Sequence, residues 1–114
     1  MVLFLLLAAH CICDYPLQGD FLARGKNHKA PLPGVPWYQC LLAHSLIHAG
    51  AVALITGSLW LGMAELGAHI LIDWNKCDGS FGANPKTAFN IDQVLHVICK
   101  IVWFVLWLTI GHHF

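Results

Sequence analysis

Eight imidazole and carboxyl groups recur along the chain as four pairs with one spacing: His10/Asp14, His44/His48, His69/Asp73 and Asp92/His96. The members of each pair are four residues apart, so on an α-helix both side chains project from one face, a turn apart. Neutral imidazole nitrogen and carboxylate oxygen are standard donors to zinc, iron and manganese. Converging from several helices, these five imidazoles and three carboxylates would hold one or two divalent cations, as bundle-core dimetal sites do. We expect the eight to form the ligand set, with zinc ahead of iron or manganese. With a single ion, several of them would support the rest, and Asp92 or Asp73 would act as general base. A lone histidine in an apolar helix more often bonds a neighbouring helix; four pairs at a common height weigh against that reading.

The elements that must position these pairs are helices in a bilayer. Hydrophobic residues make up 58% of the 114, and charged residues only 11%, against roughly 25% charged in soluble proteins. Four apolar runs, at about 2–14, 36–57, 58–75 and 90–111, approach or reach the ~20 residues that cross a membrane as helix. The expected fold is all-α, a single-domain four-helix transmembrane bundle over 1–114. The first run is short and must lean on its neighbours or thin the bilayer. MVLFLLLAAHCICD lacks a basic leading region, and His10 stands where a cleavage site needs small residues, so it reads as a helix rather than a signal peptide. The cysteines (11, 13, 40, 77 and 99) are odd in number and form no CxxC, which suits small buried hydrophobes better than disulfides. Asn90 followed by Gln93 reads as the cap and capping box that begin the last helix.

Two long polar loops, about 15–35 and 76–89, alternate with a tight turn at Thr56-Gly57-Ser58. Those loops carry Arg24, Lys26, Lys29, Lys76 and Lys86, five of the six basic side chains. The positive-inside rule makes the loop side cytoplasmic and puts both termini on the other side, in a multi-pass protein of a prokaryotic inner membrane. Trp37, Tyr38 and Trp74 fit an aromatic belt on the loop side, with Trp60 and Trp107 opposite.

Up-and-down threading turns the four pairs into two layers: His10, His48, His69 and His96 deeper, and Asp14, His44, Asp73 and Asp92 one turn nearer the cytosol. An aspartate at mid-membrane costs about 2.5–3.5 kcal/mol, so three of them demand partners. One turn deeper, Glu65 precedes His69 by four and Lys100 follows His96 by four. They should form a buried ion pair supporting the metal layer, because either charge alone would be uncompensated. The alternative leaves Lys100 reaching for the interface and Glu65 at a dimer contact. Asp14 would instead fall in the loop if Pro16 stops the first helix early.

At the mouth, Gln18 and Asp20 could orient a ligand or substrate, or simply cap the loop. Arg24, Lys26 and Lys29, in RGKNHK, would draw anionic phosphate, although topology alone also accounts for such cations. Gly50, Gly57, Gly62 and Gly67 would permit close helix contact within the chain or in a homodimer. His28, His112 and His113 lie outside the cluster and receive no role.

The segments HCICDYPLQGDFLARGK (10–26), AHSLIH (43–48), HILIDWNK (69–76) and IDQVLH (91–96) resemble a family of small bacterial and phage inner-membrane proteins, domain of unknown function 3307. That resemblance implies a membrane protein and no particular activity. AHSLIH and the His/Asp-bearing helices are also similar to the membrane-bound metal-dependent hydrolases, which implies metal-assisted hydrolysis. The expected function is therefore an integral-membrane hydrolase acting near the cytoplasmic leaflet on a phosphoester, either an anionic lipid or a phosphorylated small molecule. One alternative is a divalent-cation carrier, since paired HxxxD elements resemble the transport site of cation diffusion facilitators; the chain lacks their length and cytosolic domain. Another is a structural metal site in a bundle that binds a second membrane protein. Haem suits the aspartates poorly, and nothing points to nucleic acid.

Overall fold

The computed structural model describes residues 1–110, and His112 and His113 lie outside the described residues. It is all-helical: α1 (Val2–Asp14), α2 (Gly19–Gly25), α3 (Trp37–Thr56), α4 (Leu59–Cys77) and α5 (Pro85–Ile110). The four longer helices close a ring in the order α1, α3, α4, α5 and back to α1, while α2 packs on α3.

The sharpest connection is the turn between α3 and α4. Gly57 adopts φ +69° and donates its N–H to the Ala53 carbonyl, a left-handed helix end that glycine enters without strain. Ser58 then caps α4, its hydroxyl accepting from the Leu61 N–H at 3.2 Å. One turn on, a Cβ built on Gly62 would stand 2.8 Å from the Ala53 Cβ and 3.0 Å from the Ala49 carbonyl, so glycine is what lets α3 and α4 approach there. Gly50 and Gly67 face open space in the described chain and take no part in that contact.

Two sequence expectations are corrected. The last helix starts at Pro85 rather than Asn90: the Asn84 carbonyl side chain accepts from the Lys86 and Thr87 backbone N–H groups, and proline at the first helical position forfeits no hydrogen bond. Gln93 is thereby freed from capping. The first long loop is not all loop either, because it contains α2, inclined by 83° to α1. Asp14 is the last residue of α1 and not a loop residue.

Length and apolar composition qualify α3 and α5 as membrane-crossing helices, with α1 and α2 a third span only if the bent pair counts as one. At 13 residues, α1 alone reaches about 20 Å, short of the ~30 Å hydrocarbon layer. The 19 residues of α4 include Glu65, Asp73 and Lys76, which keep it below the same standard. The packing is nonetheless inside-out. His10, His44, His48, Glu65, His69, Asp73, Asp92, His96 and Lys100 are buried, whereas Phe4, Leu46, Leu54, Trp60, Leu71, Val94, Ile98, Val105 and Leu108 are exposed. A water-soluble bundle would reverse that arrangement. A small apolar cluster of Leu6, Val52 and Leu61, packed by Val2, Ile55, Phe104 and Trp107, fills the end nearest the α3–α4 turn. The five cysteines are free; Cys13 and Cys40 are buried and Cys11 is exposed.

Candidate metal centre

Each long helix contributes the face that its i,i+4 pair defines, and the four faces meet on the bundle axis. The deeper layer is a stack of imidazoles. The His48 and His69 ring centroids are 3.9 Å apart and those of His69 and His96 4.2 Å, while His10 lies 5.4 Å from His48 and 5.3 Å from His96. One turn nearer the loops, His44 Nε2 is 3.2 Å from Asp14 Oδ1 and 3.4 Å from Asp73 Oδ2. The structure thus brings all eight expected residues into one buried cluster.

Carboxylates tie the layers together. Asp14 Oδ1 accepts from His48 Nε2 at 2.9 Å, and Asp73 Oδ1 accepts from His96 Nε2 at 3.0 Å. Among the described residues, three sets of donor atoms lie within 4.8 Å of one another: Asp14 with His44, His48 and His69; Asp14 with Asp92 and His96; and Glu65 with His69 and His96. Each set is close enough to hold a metal ion. Asp14 belongs to two of them, a position from which a carboxylate can bridge two ions. His10 and Asp73, both expected ligands, fall in none of the three sets; His10 Nε2 bonds Gln93 Oε1 at 3.0 Å, and Asp73 Oδ2 accepts from Lys26 Nζ at 2.7 Å.

The donor chemistry fits a cation. His44 Nε2, His69 Nε2 and Asp92 Oδ1 are buried without a hydrogen bond, although each faces other members of the cluster. Burying a polar atom unpaired costs about 1–3 kcal/mol, and coordination to a shared ion removes that cost for several atoms together. Three imidazoles and a carboxylate form a standard zinc-type set.

Below the histidines the expected ion pair is present, with Lys100 Nζ donating to Glu65 Oε1 at 2.8 Å and Oε2 at 2.9 Å. Glu65 also accepts from Trp103 Nε1 at 2.8 Å and from His69 Nδ1 at 3.1 Å. The glutamate is therefore spoken for from three sides, which makes it a positioning group for His69, its Nδ1–H bond turning Nε2 toward the cluster.

Sequence reasoning missed three participants. Gln93 accepts from His10 Nε2 at 3.0 Å and donates to Asp14 Oδ2 at 2.9 Å and Asp92 Oδ2 at 3.1 Å. Trp103 completes the shell of Glu65, and Lys76 Nζ stands 3.6 Å from Asp92 Oδ2. The signal for Gln93 and Trp103 was available: with Asp92, His96 and Lys100 they fall at offsets that share one helical face. No comparable signal marks Lys76.

The mouth differs from the expected cluster of three cations. Lys26 is buried, and Gln18 links it to α1 by accepting from its Nζ while donating to the Asp14 carbonyl at 3.1 Å. Arg24 is exposed and pairs with Asp20 at 3.4 Å, away from the cluster. Lys29 pairs with Asp78 at 3.4 Å. Asp78 also accepts from His28 Nε2 at 3.0 Å, and the His28 ring stacks on Trp74 with centroids 4.3 Å apart. That hydrogen bond, aided by Lys29, holds the Asp78 carboxyl below the usual range. His28 thus clasps the first long loop to the end of α4.

Residues 2–113 match the model of a family described as protein of unknown function (DUF3307). No curated protein and no solved structure matches the chain.

Proposed function

We propose that this chain, which belongs to the DUF3307 family, is an integral-membrane, metal-dependent hydrolase with its centre near the cytoplasmic leaflet. The observation that carries this reading is the set formed by Asp14, His44, His48 and His69, whose donor atoms lie within 4.8 Å of one another, with His44 Nε2 and His69 Nε2 buried, without a hydrogen bond, and turned toward carboxylates of the cluster. In this proposal α3 and α5 cross the bilayer, α1 and α4 complete a four-helix transmembrane bundle, and α2 lies along the surface. The loop end, which carries five of the six basic residues, faces the cytoplasm of a prokaryotic cell, and both termini lie on the opposite side.

Zinc is the ion best matched to three imidazoles and one carboxylate, with iron or manganese as competitors. When bound it would polarise a scissile bond and lower the pKa of water toward 7. Asp14, His44, His48 and His69 would hold it. Asp92, whose Oδ1 faces His96 Nε2 at 3.3 Å without a hydrogen bond, would accept the proton or, with His96 and the shared Asp14, hold a second ion. Asp73, bonded to both Lys26 and His96, would keep the cluster's loop face in position.

Hydrolysis is favoured over transport by the two ends of the bundle. Polar groups continue from the loop end down to Lys100 and Glu65, and beyond them the Leu6–Val52–Leu61 cluster closes the far end. A one-sided site suits a substrate that enters and leaves by the same mouth. A phosphoester, as a lipid headgroup or a soluble phosphorylated molecule, suits the lysines there.

The test is elemental analysis of the purified full chain together with turnover of phosphomonoester and phosphodiester substrates, for the wild type and Asp92→Asn. Bound metal with turnover that Asp92→Asn abolishes is the expected result. Bound metal without turnover would favour a structural site, and absence of metal would overturn the reading.

A further inference from the structure

A cavity of about 340 Å³ opens at the loop end, lined by Gln18, Lys26, Asn27, Lys76, Pro85 and Ala88 among others. Its volume lies within the roughly 300–1,000 Å³ of small-ligand sites. It sits between α2, the end of α4 and the start of α5, and its described lining carries two ammonium groups, two side-chain amides and no carboxylate.

Both lysines line this cavity and also face an aspartate of the cluster. Lys26 Nζ is 2.7 Å from Asp73 Oδ2, and Lys76 Nζ is 3.6 Å from Asp92 Oδ2. Each ammonium has three donors. Lys26 directs two of them to Asp73 and Gln18; Lys76 is partly exposed and also lies 5.0 Å over the Phe89 ring. Neither is positioned like an ordinary surface lysine: segments fifty residues apart in sequence each bring an ammonium group to the cavity wall beside a buried aspartate.

We infer that this cavity is the anion-docking site of the chain and that its ligand is a dianionic phosphoryl group, inorganic phosphate or a phosphate monoester. The inference rests on the metal-centre reading in one respect: a cation held by Asp14, Asp92 and His96 would take up the charge of Asp92 and leave Lys76 free to neutralise a ligand, while Lys26 keeps its bonds to Asp73 and Gln18 and offers its third donor. A phosphoryl oxygen accepts readily from ammonium groups and side-chain amides, which is what the walls present. Arg24 and Lys29, paired with Asp20 and Asp78 outside the cavity, take no part in docking.

Lysine acylation read by mass spectrometry tests this on the full chain in phosphatidylcholine nanodiscs, after zinc loading verified by elemental analysis. Lys29, with 61% of its side chain exposed against 29% for Lys76, is the internal control. One arm adds inorganic phosphate; the other replaces part of the lipid with phosphatidic acid and omits phosphate. Protection of Lys76 but not Lys29 is expected in at least one arm, and which arm responds identifies a soluble or a lipid-borne phosphoryl group. Ala88→Leu, which fills the cavity, should abolish that protection while zinc content is unchanged. Lys76→Gln should weaken phosphate binding, titrated by phosphorus NMR, about tenfold, the loss expected for one charge-assisted hydrogen bond. Zinc-loaded protein in which neither arm protects Lys76, or in which Lys29 is protected equally, overturns the docking site and leaves the metal centre standing. Failure to load zinc overturns both.

Discussion

Lys100 reaches across the bundle from α5 to place its ammonium 2.8 Å and 2.9 Å from the two carboxylate oxygens of Glu65 on α4. Both side chains are almost wholly buried. The pair is the floor on which His69 rests, since the same glutamate accepts from its Nδ1. Four consequences of such packing can be measured.

Removing one partner should be far worse than removing both. Lys100→Met leaves an uncompensated buried carboxylate and should cost about 3–5 kcal/mol. The Glu65→Gln/Lys100→Met double variant should recover most of that loss. Denaturation in detergent micelles, compared across the four members of the cycle, measures the coupling. A Lys100→Met variant as stable as the wild type would show that the pair contributes nothing.

Metal uptake should depend on Asp14 more than on any other carboxylate, because it belongs to two of the three close donor sets. Asp14→Asn is expected to lower zinc content by more than Asp73→Asn does, measured per mole of purified chain. Zinc at about a hundredfold excess over its dissociation constant should stabilise the wild type by about 2.7 kcal/mol, and chelator should reverse this. Uptake should also fall as pH drops, since imidazole ligands must shed protons to coordinate.

At Gly62 the close approach of α3 and α4 predicts a steric effect. Gly62→Val must displace Ala53 or the Ala49 carbonyl, 2.8 Å and 3.0 Å from the new Cβ, at a cost of about 1–3 kcal/mol. It should also separate His48 from His69 and reduce zinc affinity. Gly67→Ala, which meets open space on the exposed side of the same helix, should be neutral or gain about 0.5–1 kcal/mol in helix propensity. Thermal unfolding of the two variants separates packing from propensity.

The clasp between His28 and Asp78 has a defined pH dependence. Asp78 has its pKa depressed in the folded chain, so its contribution is complete above the ordinary value near 3.8 and is lost as pH falls through the lower folded value. Hydrogen exchange across residues 26–36 should accelerate in that acid window and not between pH 5 and 7 on account of this carboxyl. Asp78→Ala should give the faster exchange at neutral pH as well.

The candidate site was legible in the sequence to an unusual degree because its grammar is local. A spacing of four on a helix fixes which residues share a face, and the alternation of two polar loops with one tight turn fixes which pairs share a height. Those two rules suffice to bring His10, Asp14, His44, His48, His69, Asp73, Asp92 and His96 together and to join Glu65 to Lys100. The inward face of α5 extends to Gln93 and Trp103 at the same periodicity; reading Gln93 as part of a capping box turned it away from that face.

What the sequence alone could not decide lies where contacts are made between elements by flexible side chains. Lys26, Arg24 and Lys29 sit within six residues and are equivalent by composition. Only the 83° break between α1 and α2 carries Lys26 inward to Asp73 and leaves Arg24 outside. Lys76 meets Asp92 because α4 ends beside the first turns of α5. Periodicity is a property of one helix and can be read from its residues; the choice among several long, charged side chains belongs to the three-dimensional arrangement, where a buried carboxylate is stabilised by whichever cation the backbone brings within reach.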